Sequence, residues 1–142
     1  MYVRQFAEGV KFGCAGNEYV MLLPREETNC CEVVLEKISA AGRTPPNAHS
    51  TFMQIFVVLA GEAEITVGPE TRRVSAPAIA YIPQNTNHSV VNLGANELQY
   101  VYISVWPDGI PREESDGGWR RVYADMIQEY AEKGYPPVAS KV

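Results

Sequence analysis

Pro83-Gln84-Asn85-Thr86-Asn87-His88-Ser89-Val90-Val91-Asn92 is the stretch that decides how the chain folds. It follows an apolar run, Ala78 to Ile82, that stops at the proline. A loop of turn-forming residues comes next, and His88 opens the following apolar run. In a strand-rich chain this pattern puts an imidazole at the mouth of a strand, where a ring nitrogen reaches into a sheet-lined cavity. The one other histidine is His49, so imidazole chemistry rests on these two positions.

Outward from that stretch the chain reads as short strands punctuated by Gly, Pro and Asn. Ser89 to Leu93 and Leu98 to Val105 flank the turn Gly94-Ala95-Asn96. Upstream, Gln54 to Leu59 is the strongest strand signal, and Gly61-Glu62 turns into the alternating run Ala63 to Val67. Gly68-Pro69 leads to Arg72–Ser75, while Tyr19 to Leu23 stops at Pro24 and Cys31 to Ile38 is another run. Residues 1–18, with three glycines, read as an irregular or edge arm. About eight to ten strands at this spacing predict an all-β sandwich or barrel. After Trp106-Pro107 the pattern changes: Trp119, Val122, Tyr123, Met126, Ile127 and Tyr130 recur at helical spacing. They predict an amphipathic helix over 119–133, with Gly134 as its cap. Its apolar stripe needs a surface, either the chain's own sheet or a partner's in a homodimer.

Composition narrows the class. With 142 residues and 46% apolar content the chain builds one domain with its own core. Within it, 1–30 is the arm and first strand, 31–106 the β core and 107–142 a C-terminal extension. A net charge of −5 argues against nucleic acid and anionic membrane, which reward clustered Lys and Arg. No apolar run approaches the roughly 18 residues of a bilayer span, and the first residues lack a signal-peptide layout. A cytoplasmic protein acting on a small-molecule ligand is the expectation. Three cysteines without a C-x-x-C spacing make neither a disulfide framework nor a zinc site.

Two stretches resemble the paired signatures of the cupin superfamily. Its second signature, Pro-x-Gly-x-x-His-x-x-x-Asn, is met by Pro83, Asn85 in place of glycine, His88 and Asn92. Asn tolerates the positive φ such a turn asks for. The first signature, a Gly followed by His-x-His, Glu and a second Gly, is half changed. In the preferred register Asn47 stands at the first His, His49 at the second, Gln54 at the Glu and Gly61 at the closing Gly. A competing register keeps Gly42 as the leading glycine and puts Ala48 and Ser50 at the His pair. The likeness covers residues 31 to 106 and implies a double-stranded β-helix, or jelly-roll barrel, with a C-terminal α-helix.

It further implies a divalent transition metal (Fe, Mn, Zn, Ni or Cu) held by His49, His88, Gln54 and Asn47 inside the barrel. The amide at 54 removes a carboxylate from beside the cation, which weakens the site and leaves no carboxylate base there. Acid–base work then falls to His49, His88 and Tyr102, with Phe52, Phe56 and Tyr100 as pocket walls. The resulting expectation is a metal-dependent small-molecule enzyme of dioxygenase, decarboxylase, lyase or isomerase type. A non-catalytic ligand-binding cupin without metal is the alternative.

Overall fold

The computed structural model describes residues 1–138. Its strands are β1 (Val10–Cys14), β2 (Asn17–Leu23), β3 (Cys31–Ile38), β4 (Met53–Ala60), β5 (Glu62–Val67), β6 (Glu70–Ser75), β7 (Ala78–Ile82), β8 (His88–Asn92) and β9 (Leu98–Val105). A four-residue helix, α1 (Arg25–Thr28), joins β2 to β3, and α2 (Gly118–Glu132) follows the last strand. Pairing is antiparallel throughout, in the orders β1-β2-β3-β9-β4-β7 and β6-β5-β8.

The expected barrel does not form. Both sheets end in unpaired edges, β1 and β7 in the larger and β6 and β8 in the smaller, so neither closes on itself. Two local causes are visible. The arm read as irregular or edge supplies β1, an edge strand that pairs with β2 as a hairpin and extends the large sheet sideways. The segment beside β8 cannot ladder, because Pro45 and Pro46 have no N–H to donate. Its backbone meets β8 through isolated bridges: Asn47 and His88 exchange backbone bonds of 3.1 and 2.9 Å, and the Thr44 N–H donates to the Val90 carbonyl at 2.9 Å.

The inner face of the large sheet is therefore covered by α2 rather than by a complete second wall. Tyr123 and Tyr130 are buried, and Trp119, Met126 and Ile127 pack against the core. The helix lies on its own chain's sheet, with Phe12 of β1 against Trp119 and Tyr123 at ring separations of 5.5 and 5.0 Å. The Glu26 carboxylate accepts a bond from the Trp119 N–H at the first turn of α2, where negative charge complements the helix dipole.

A buried ion pair fixes this arrangement. Alternation along β3 turns Glu32, Val34, Glu36 and Ile38 inward. Arg25 grips the Glu32 carboxylate through two bonds of 2.7 and 2.9 Å, and the Tyr123 hydroxyl donates to it at 2.7 Å. Arg25 also donates to the Glu114 carbonyl at 2.6 Å and lies 5.0 Å from the Trp106 ring. Removing one partner of such a pair strands the other charge, so Arg25→Ala is expected to cost about 3–5 kcal/mol in urea unfolding. Arg25→Ala combined with Glu32→Leu should recover a large part of that loss. A single-mutant cost below about 1 kcal/mol would show that the pair does not hold the helix.

Candidate functional site

Between the inner face of the large sheet, β8 and α2 lies a cavity of about 210 Å³. It is smaller than the roughly 300–1,000 Å³ of drug-sized sites, which limits it to a compact ligand. From β4 come Gln54 and Phe56, from β9 Tyr100, Tyr102 and Ser104, and from β8 His88. The bridged segment and its continuation add Asn47, His49 and Phe52. All eight of the residues singled out in the sequence thus reach one wall, whereas Ala48 and Ser50 are exposed.

The loops holding the imidazoles are tied together. Asn85 adopts φ 57°, the left-handed conformation that its place in the turn demands, and its N–H donates to the His49 carbonyl at 2.6 Å. The His49 and His88 rings lie 5.1 Å apart, with His49 stacked on Phe52 at 4.2 Å and the Phe56 ring 6.0 Å from His88. His88 Nδ1 sits 2.9 Å from the Thr86 carbonyl, an acceptor, so Nδ1 carries the proton and Nε2 keeps its lone pair. Burial lowers both basicities: the His49 pKa falls to about 4, with His88 contributing, and His88 shifts the same way against the opposing Thr86 carbonyl. Both rings are neutral bases at physiological pH.

The amides at the other two signature positions are engaged. Asn47 Nδ2 donates to the Tyr130 hydroxyl at 2.6 Å and Gln54 Nε2 to Ser104 Oγ at 3.1 Å. The phenol of Tyr102 is engaged too. Tyr123 gives its proton to Glu32, so the 2.6 Å contact between the two hydroxyls is Tyr102 donating to Tyr123. That proton is engaged by Tyr123 in this structure.

The second polar cluster on the wall was missed by sequence reasoning. Glu36 is 2% exposed and stands directly between Tyr19 of β2 and Tyr100 of β9 in the ladder. Burial pushes its pKa up to about 7, while the two phenols act in the opposite direction. Its Oε2 has no hydrogen-bond partner. Beneath it, burial followed by the Glu36 charge raises the Cys14 thiol to about 12, so that cysteine is an unreactive core residue. The signal was present in the sequence: two acids four apart share a strand face with Val34 and Ile38.

A family model described as a cupin domain matches residues 34–105. The chain belongs to the cupin family. No curated protein matches the chain. Among solved structures this cupin resembles a predicted oxalate decarboxylase from Thermotoga maritima at 17% identity and TM-score 0.67, covering 73% of this chain and 98% of that one. It resembles the polyketide cyclase RemF from Streptomyces resistomycificus at 16% identity and TM-score 0.64, covering 74% and 79%. It also resembles KdgF from Halomonas sp. at 25% identity and TM-score 0.57, covering 66% and 83%.

The donor set does not fit the transition metal that the family resemblance implies. Among the described residues, no three His, Cys, Asp or Glu side chains group so as to hold an ion. Two imidazoles remain, the carboxylate is absent, and positions 47 and 54 offer only neutral amide oxygens, which lack the charge that a carboxylate brings to a cation. The expectation of a metal-binding site is corrected on these grounds. Protein purified without added metal should hold well below one equivalent of Fe, Mn, Zn, Ni or Cu by elemental analysis. A stoichiometric ion would overturn this reading of the donors.

Glu36 makes a stability prediction whose sign follows from its shift. A carboxyl raised from 4.5 to about 7 on folding binds its proton more tightly in the native state. Its destabilising contribution is absent below the unfolded pKa, grows as pH rises through the native one, and then stays constant. Glu36→Gln should therefore gain stability over wild type between about pH 4.5 and 7. The plateau should be about 3 kcal/mol, read by urea unfolding across that range. A difference that does not vary with pH would place the Glu36 pKa near its ordinary value.

Proposed function

We propose that this cupin binds a small organic molecule in the cavity and converts it by proton transfer, as an isomerase or lyase does, with His88 and His49 as the bases. The observation that carries this reading is the neutral imidazole pair on the wall of a largely apolar cavity, with His88 oriented through Thr86 so that Nε2 is free to accept a proton. Fixing one ring nitrogen on a backbone carbonyl is the arrangement general-base catalysis uses. Isomerisation and elimination need only such transfers, and neither calls on a donor that the wall lacks. Phe52 and Phe56 offer apolar surface beside the bases.

The test uses exchange. In D2O, wild-type protein should promote deuterium incorporation next to the carbonyl of some member of a panel of small hydroxyketones. His88→Ala should lose this by roughly 100-fold or more while keeping a folded β spectrum. Binding without exchange in wild type would favour the non-catalytic ligand-binding cupin. Ring proton NMR supplies a check that needs no substrate: His49 should titrate with a midpoint about 4 and His88 below free imidazole. Ordinary midpoints for both would remove the buried-base argument.

A homodimer is supported by one surface feature. Leu59, Ile79 and Tyr81 are 46%, 72% and 56% exposed along β4 and the unpaired edge strand β7. An apolar edge of this kind pairs readily with a second copy. Sedimentation should give a dimer that Ile79→Glu with Tyr81→Glu converts to monomer. A wild-type monomer at high concentration would dispose of this assembly.

A further inference from the structure

The charges on the cavity wall are unevenly matched. Among the described residues the lining holds one permanent cation, Arg25, and each of its three guanidinium nitrogens donates to the Glu32 carboxylate or the Glu114 carbonyl. Both imidazoles are neutral. Glu36, the other inward acid of β3, has no cation beside it. Its ladder neighbours on either side are phenols, the residue lines the cavity, and its Oε2 is buried without a hydrogen-bond partner. Buried polar atoms are almost always satisfied, and an orphan on a residue that lines a cavity needs a partner that the protein itself does not supply. Phe56 links the two polar ends, 5.0 Å from the Tyr100 ring and 6.0 Å from the His88 ring.

We propose that the cavity takes an uncharged, hydroxyl-bearing small molecule, one hydroxyl of which pairs with Glu36 Oε2 while its apolar part lies on Phe56, and that carboxylate and phosphate ligands are excluded. This rests on the small-molecule reading above and names the class of ligand. A bound anion would lose its water without gaining a counter-charge, since the one guanidinium already has its partner. A hydroxyl meets neither penalty. It donates to Glu36 in the ionised form and accepts from it in the protonated form, so the pairing persists through the carboxyl's titration.

Matched probes test this: benzyl alcohol against benzoate, and catechol against salicylate, followed by ligand-detected NMR on protein carrying carboxyl-13C glutamate. The alcohol and catechol should bind wild type and move the Glu36 carboxyl resonance, whereas their anionic counterparts should bind more weakly. Glu36→Leu should weaken the hydroxyl probes by roughly tenfold or more, and Glu36→Gln, which keeps an acceptor, by less. Should Glu36→Leu fail to fold, the wild-type resonance and the Gln variant decide. Tighter binding by the anions, an unmoved Glu36 resonance, or full affinity in Glu36→Leu would overturn the inference and leave the small-molecule reading standing. Failure of every probe to bind wild type would overturn both.

Discussion

The Arg25–Glu32 pair is the interaction on which the rest of the structure depends, because it joins elements that the sheets alone leave apart. Glu32 lies inward on β3, Arg25 comes from α1, and the same carboxylate accepts the Tyr123 hydroxyl from α2. Through Tyr123 the bond continues to Tyr102 on β9. The geometry is two-pronged, buried and backed by further bonds from Tyr123 and to the Glu114 carbonyl, the condition under which a buried charge pair can recover its desolvation cost. With α2 anchored this way, two open sheets enclose a cavity without closing into a barrel.

Glu36 shows the opposite outcome on the same strand face. It shares burial and periodicity with Glu32 but meets phenols where Glu32 meets a guanidinium. An unsatisfied buried polar atom costs on the order of 1–3 kcal/mol, and the two phenols offset the burial of the carboxyl only in part. Structural acids are stabilised by their surroundings. An acid left proton-bearing near neutrality beside a cavity belongs to the class of groups that sites retain for their chemistry.

The legible parts of the fold were those governed by local periodicity. Residues 54–59, 63–67, 78–82 and 98–105 all lie in strands, and the aromatic stripe at 119–130 lies in α2, which begins at Gly118. The signature positions were legible through their spacing, and Asn47, His49, Gln54 and His88 share one wall. What escaped was non-local. Glycines in residues 1–18 left the choice between an irregular and an edge arm open, since the hairpin with β2 is decided by pairing rather than by propensity. Closure was over-read, because whether a sheet meets its own edge depends on curvature that no short window encodes. Glu36 escaped because an acid in an apolar run reads as surface unless its alternation with Glu32, Val34 and Ile38 is followed along the strand. The conformation at Asn85 was legible for a specific reason: a side chain that tolerates positive φ stood where the turn required it.

The exchange of imidazole and carboxylate for amides at 47 and 54 changes the chemistry of the wall more than its shape. A ligating imidazole or carboxylate aims a lone pair at an ion. An amide also carries donors, and buried donors seek oxygen. Asn47 finds Tyr130 and Gln54 finds Ser104, so side chains at ligand positions instead tie the bridged segment to α2 and β4 to β9. Asn47 and Tyr130 line both the cavity and the depression outside it, which puts their bond between the two. With those positions serving the scaffold, the imidazoles remain as neutral bases at one end and Glu36 as a proton-bearing acid at the other. The wall thus carries two neutral imidazoles and one acid whose pKa burial raises, in place of the donor set that the family resemblance implied.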